Sequence, residues 1–326
     1  MAMANRHDIV TVGEVLIDLT QTGVDDRGVP TLAANPGGAP ANVAVAASRL
    51  GAQTAFVGCI GDDAFGTLLK TTLENDNVDT TGLVVHDTIP TTLAVVTVNA
   101  DGERSFSFYR RPGADICLTR EAIPDELIAN APILHFGSVS LTDDPSRSAT
   151  LSAAKDAKAA GALITYDPNY RPALWLSEKE AIERMREPLP LVDILKISDE
   201  ETALLSGSED PVDAAEVLVD KGIPLVLVTL GSAGVYYRYD PKDGRSILTG
   251  LVPGYVVKVA DTNGAGDTFF GAFLTKVAER GGHVNGFKQG ELEAALKFAN
   301  CAASLTTSRP GAIPAMPTLE EVNEAL

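Results

Sequence analysis

The chain of 326 residues carries 26 lysines and arginines against 44 aspartates and glutamates, a formal charge of −18. That balance excludes a phosphate-tracking surface for nucleic acid or an anionic membrane, so an anionic ligand has to be held locally, by backbone amides, placed cations and a divalent metal. With 45% apolar and 21% charged residues the chain can bury a sizeable core, and its length suits one large α/β domain with an excursion.

Ile9–Val12 is a short β-branched run closed by Gly13, and Val15-Leu16-Ile17 leads on to Asp18, which predicts a buried strand presenting Asp18 at its end. Pro36-Gly37-Gly38 with Pro40 marks a turn. Residues 41–50 are then alanine-rich at helical spacing and predict a helix packed closely on a sheet. Within 82–111, Leu93, Val95, Val98, Phe106 and Phe108 flank the turn Asn99-Ala100-Asp101-Gly102 and predict a β-hairpin. Joined to the stretch around 20–32, the hairpin would form a small sheet projecting as a lid. A single domain over 1–326 is expected, with lid segments at about 17–34 and 91–111.

After residue 131 the chain alternates strand-like runs at 133–136, Leu163–Asp167, 194–197 and Leu225–Thr229 with helical stretches. This is the pattern of a parallel sheet covered on both faces, in which ligands collect at the carboxyl ends of strands. Those ends carry polar residues, among them Asp167-Pro168-Asn169, Lys196-Ile197-Ser198-Asp199 and Thr229-Leu230-Gly231.

The most informative stretch is Asp261-Thr262-Asn263-Gly264-Ala265-Gly266-Asp267-Thr268-Phe269-Phe270-Gly271. Two glycines around an alanine let backbone N–H groups approach an anion, and the apolar residues that follow predict a helix starting there. Asp267 would sit in its first turn, where amides and helix dipole favour the ionised form that accepts a proton from a hydroxyl. An isolated Gly-x-Gly-Asp reads more readily as a capped helix start, since such caps are common. Thr262 ahead of the glycines and an aspartate at each end make the longer string a rarer combination.

This stretch resembles the C-terminal signature of the ribokinase-like, or PfkB, carbohydrate kinases, and Gly37-Gly38-Ala39-Pro40-Ala41-Asn42 is similar to the family's N-terminal glycine motif. The likeness runs from Val12-Gly13-Glu14 to Arg309-Pro310-Gly311-Ala312. It implies a ribokinase-like three-layer α/β/α fold with a mostly parallel central sheet and a small β-sheet lid, acting on a sugar with ATP and Mg²⁺. Asp267 would be the general base beside an anion hole at Gly264, Ala265 and Gly266. Asp18, Gly37, Gly38 and Asn42 would meet the sugar, since a polyol needs main-chain and amide groups within hydrogen-bond reach and a carboxylate has two acceptor oxygens.

Further positions follow from the resemblance. Lys196 to Glu201 looks like the family's Asn-x-x-Glu element with Ser198 in place of the asparagine. That puts Lys196, Ser198 and Glu201 at the nucleotide and Glu201 on Mg²⁺ through water, although Glu200 and Glu201 also read as first-turn acids of a helix. Thr229, Gly231 and Gly234 resemble the loop beside the nucleotide, Asn300 the adenine pocket, and Asp261 with Asn263 a K⁺ site. Arg171 is the candidate cation near the transferred phosphoryl and the substrate, with Tyr109 and Arg110 reaching the substrate from the lid.

Residues 108–115 and 135–141 are most similar to fructokinases, while Arg110 keeps open a 2-keto-3-deoxygluconate kinase, whose acidic substrate wants an arginine. A dinucleotide-dependent dehydrogenase lacks its Gly-x-Gly-x-x-Gly and a Walker-type NTPase its Gly-x-x-x-x-Gly-Lys. A non-catalytic sugar-binding protein is the alternative from another class. Cys59, Cys117 and Cys301 are widely spaced, and His7, His86, His135 and His283 show no metal-ligand spacing. The absence of a basic-then-apolar start and of a long apolar run leads to the expectation of a cytoplasmic protein. Exposed lid edges point to a homodimer.

Overall fold

The computed structural model describes residues 7–98 and 104–326. In chain order the elements begin β1 (Ile9–Val12), β2 (Leu16–Val24), β3 (Pro30–Gly37), α1 (Ala39–Arg49), β4 (Thr54–Gly61), α2 (Ala64–Asn75) and β5 (Asp79–His86). They continue with β6 (Leu93–Val98), β7 (Arg104–Tyr109), α3 (Asp125–Ala129), β8 (Ile133–Gly137), α4 (Ser146–Ala159), β9 (Leu163–Asp167), α5 (Glu178–Arg186) and β10 (Ile194–Ser198). The last part holds α6 (Thr202–Ser206), α7 (Pro211–Asp220), β11 (Leu225–Thr229), β12 (Val235–Tyr239), β13 (Leu248–Val252), α8 (Ala265–Ala278), α9 (Gln289–Thr307) and α10 (Leu319–Ala325).

Nine strands form one sheet in the order β13-β12-β11-β10-β9-β8-β1-β4-β5, parallel from β5 to β11 and antiparallel at β12 and β13. Strand alternation sorts its side chains onto two faces. Val10, Leu134, Ile164, Leu195 and Val226 join one core with residues of α3 to α7, and Ile9, Ile133, Leu163, Ile194 and Leu225 join another with α1, α8, α9 and α10. A third cluster packs α2 and α1 against Phe56 and Ile60 of β4. The result is the expected three-layer arrangement. From β1 the chain crosses to β4 on one side, while β8 lies on the other, so strand order reverses between β1 and β8 and a crevice opens at their carboxyl ends.

A second sheet of four strands, β3-β2-β6-β7, stands apart from the first. Its hairpin pairs Leu93 with Tyr109 and Val96 with Phe106, while the turn 99–102 and the Phe106 side chain lie outside what is described. Asp18 corrects its expected placement. The chain leaves β1 at Gly13, and Asp18 is the third residue of β2, in the small sheet, paired with Asn35 and Ala94. An apolar run broken by one glycine does not tell one strand from two in different sheets. Likewise 82–86 belongs to β5 at the edge of the large sheet, not to the hairpin region.

Two packing details set up the site. Helix α1 starts at Gly38 (φ 110°), which has no side chain to cap it, and the Oε1 of Glu14 accepts the Ala39 amide at 3.0 Å instead. Helix α8 is buried nearly all round, and a Cβ at its Gly271 would lie 2.8 Å from the Val43 carbonyl and from the Ala46 Cβ. Glycine there lets α8 and α1 lie close together, which brings their first turns side by side.

Candidate active site

Asp267 occupies the first turn of α8 and is buried. Asn42, in the first turn of α1, donates from Nδ2 to Asp267 Oδ2 at 2.8 Å, while its own Oδ1 has no partner among the described residues. Asn169 Nδ2 makes a longer 3.4 Å contact to the other carboxylate oxygen from a left-handed backbone position (φ 49°) just past β9. Burial pushes the Asp267 carboxyl up; Asn42, Lys196 and Arg171 pull it back down.

These groups face a cleft between the two sheets whose lining also includes Glu14, Asp18, Gly38, Arg171, Asp261 and Asn263, with Val96, Phe108, Val139 and Leu174 as apolar wall. Burial pushes Asp18 up to about 6 despite the pull of Arg171 and the Asn263 side chain. Gly37 makes room for it, since a Cβ there would lie 2.5 Å from Asp18 Oδ2. A Cβ on Gly38 would lie 2.5 Å from the Glu14 carbonyl, a backbone contact that demands glycine there.

The N-terminus of α8 forms a nest of backbone amides. The Ala265 amide is spent on the Thr262 carbonyl at 3.3 Å, whereas no partner for the amides of Gly264, Gly266 and Asp267 occurs among the described residues. Three backbone donors are therefore left open at the start of α8 among the described residues. Asp261 is held by the amides of Asn263 and Gly311 through its two oxygens, which ties the entry of α8 to the segment after α9.

The positions expected at a nucleotide lie farther along the same sheet edge, where Ser198 and Thr229 are register partners at the ends of β10 and β11. Gly231 (φ 54°) and Gly234 (φ 106°) turn the chain beyond them. Glu201 is largely committed to the protein: Oε1 accepts the Tyr170 amide, and Oε2 accepts the amide and hydroxyl of Ser198 in a capping box. Three of the roughly four lone-pair sites of a carboxylate are thus filled, which leaves room for one water and fits an outer-sphere role. Thr229 gives its hydroxyl to the Ile197 carbonyl.

One expectation is corrected. Arg110 does not reach the cleft: it is 4% exposed, and its guanidinium is spent on Asp115, the Thr142 hydroxyl and the Val139 carbonyl. Tyr109, 65% exposed, lines a neighbouring hollow with Arg111 and Pro112. Asn300 donates to the carbonyls of Val252 and Pro253, so its donors fix the chain after β13. Lys196 pairs with Asp167 at 2.8 Å. Arg110, Asn300 and Lys196 are polar side chains brought indoors that found partners within the protein. Glu14 and Asn169 were missed; the only signal was their place just past a strand that ends in glycine or Asp-Pro.

The pattern of the pfkB family carbohydrate kinases matches residues 6–319. The chain belongs to that family. This kinase is 44% identical over 324 residues to fructokinase-1 of Oryza sativa subsp. japonica, with 98% of each chain covered. Among solved structures, the fructokinase of Xylella fastidiosa with bound ATP superposes with a TM-score of 0.87 at 34% identity, over 98% of both chains. The fructokinase of Vibrio cholerae O395 bound to fructose, ADP and calcium ion gives 0.85 at 32% identity, over 99% of this chain and 100% of that one. Among the described residues no helix is long and apolar enough to cross a membrane, and all three cysteines are free thiols.

Proposed function

We propose that this carbohydrate kinase is an ATP-dependent fructokinase, forming fructose 6-phosphate and ADP, with Asp267 as general base. The observation that carries the reading is the meeting of Asn42 and Asp267 in the cleft, next to three amides at the start of α8 that have no partner among the described residues. The rice, Xylella and Vibrio relatives, all fructokinases, support the choice of sugar. The keto-acid alternative rested on a free Arg110, and that guanidinium is spent on Asp115.

Asp18, Gly38 and Asn42 would hold the sugar, and the orphaned Asn42 Oδ1 suits a hydroxyl donor. Asp267 takes the proton of the 6-hydroxyl as that oxygen bonds to the γ-phosphorus and the bond from phosphorus to the ADP oxygen breaks. The amides of Gly264, Gly266 and Asp267 and the Arg171 guanidinium meet the charge on the equatorial oxygens. Glu201 would hold magnesium through a water, where the ion would offset charge on the phosphates, and Asp261 with Asn263 would hold K⁺. Closure of the small sheet over the cleft would exclude water as a competing acceptor.

The small sheet also ends in two free edges, β3 and β7, near exposed Val24, Val29, Leu32 and Tyr109, which supports pairing of two copies through it. The free thiols suit a reducing cytoplasm. The deciding experiment is a coupled ADP-release assay across fructose, ribose, adenosine and 2-keto-3-deoxygluconate. Turnover concentrated on fructose is expected; preference for another acceptor, or none consumed, rejects the assignment.

A further inference from the structure

Lys196 stands on β10, points to the same sheet face as Ile194, the face that α8 covers, and is buried. Its ammonium is 2.8 Å from Asp167 Oδ2 at the end of β9, its single hydrogen bond among the described residues, so two of its three donors are unspent. A Cβ added at Gly266 would lie 3.0 Å from that nitrogen. The ammonium is therefore packed directly against the main chain of the amide nest. Burying such a charge costs several kcal/mol before its pairing is counted, and an apolar side chain would fill the same place more cheaply.

We propose that Lys196, anchored by Asp167, is a positioning residue for phosphoryl transfer: its buried charge backs the Gly266 and Asp267 amides and holds Asp267 as the carboxylate that takes the sugar proton. This rests on the kinase reading. The other groups acting on Asp267 are accounted for. Arg171, past β9, is a second cation, and Asp18 on β2 and Asp167 on β9 are like charges. Glu14 and Asp261 line the same cleft. Behind Lys196 stand Glu201, which attracts it, and His135 on β8, which burial and Lys196 push down to about 3 and thus leave neutral. Lys196 is the cation that approaches from inside the protein, beneath the nest, where water does not screen it.

The test is the pH profile of kcat for the full chain with fructose and Mg-ATP from pH 5 to 9, for the wild type, Lys196→Met, Lys196→Arg and Asp167→Asn. Lys196→Met should lower kcat by about ten-fold or more and move the acid limb to higher pH, and Lys196→Arg should recover much of both. Asp167→Asn removes a like charge and keeps the lysine, so its limb should move to lower pH. Loosened packing does not produce shifts of opposite sign. If Lys196→Met fails to fold, Lys196→Met/Asp167→Asn, which buries no lone carboxylate at this pair, takes its place, and its limb should lie at higher pH than that of Asp167→Asn, from which it differs only by the lysine. A limb that stays put in the lysine variant, or limbs that move the same way in both single variants, overturn the proposal. Absence of wild-type turnover with every sugar would instead refute the kinase reading itself.

Discussion

Asn42 Nδ2 and Asp267 Oδ2 meet at 2.8 Å across 225 residues of chain, joining the first turn of α1 to the first turn of α8. The contact makes the glycine motif ahead of α1 and the glycine motif ahead of α8 two halves of one object. It also orients the carboxylate proposed as the base, since one oxygen is engaged and the other is only weakly held by Asn169 at 3.4 Å.

Removal of that carboxylate is the first prediction. Asp267→Ala should cut kcat by about 10²–10⁴, the usual worth of a positioned base, while the affinity for ADP changes little. Steady-state turnover and calorimetric ADP titration check the two halves; near-native turnover would mean that another group takes the proton.

A second prediction concerns a residue that touches no substrate. Gly271→Ala places a Cβ 2.8 Å from the Val43 carbonyl and wedges α8 from α1. It should cost about 1–3 kcal/mol of stability, as overpacking does, and raise the KM for fructose by drawing Asn42 and Asp267 apart. Denaturant unfolding and kinetics read both, and an unchanged KM in a destabilised variant would uncouple helix spacing from the site.

The pH dependence of kcat/KM follows from two carboxyls that burial pushes up, Asp18 to about 6 and Asp267 above its usual range. Both act as carboxylates, so activity is full above these values and falls as pH drops through about 6. Asp18→Asn should raise the sugar KM and, by removing a like charge beside Asp267, carry the remaining acid limb to lower pH. A profile flat down to pH 5 in the wild type would contradict this.

Glu14 supplies a stability test. Burial pushes its carboxyl from 4.5 up to about 7, and Oε2 is buried without a partner among the described residues. In the window between those values the folded state holds a proton that the unfolded state has released, so this group's contribution to stability declines as pH rises from 4.5 through 7. Glu14→Gln keeps an acceptor for the Ala39 amide and abolishes the buried charge. Its thermal midpoint should match or trail the wild type at pH 5 and exceed it at pH 8, the gain in unfolding free energy being of order 3 kcal/mol at most. A midpoint difference independent of pH would show that Glu14 does not titrate in the fold.

What the sequence by itself determined is the part that rests on near neighbours in the chain. Leu163–Asp167 and Leu225–Thr229 were legible to the residue because apolar runs of that length between polar ends have few other ways to be buried. The glycine stretches around Gly38 and Gly264 were legible because only glycine tolerates those positive φ angles and close approaches. The tertiary structure alone decided that Asp18 lies in a second sheet, that Arg110 turns inward to Asp115, that Glu14 caps α1, and that Lys196 lies beneath the nest. Each depends on which distant strands and helices become neighbours, and a buried charge takes whatever partner the packing brings within about 3 Å, which periodicity along the chain does not encode.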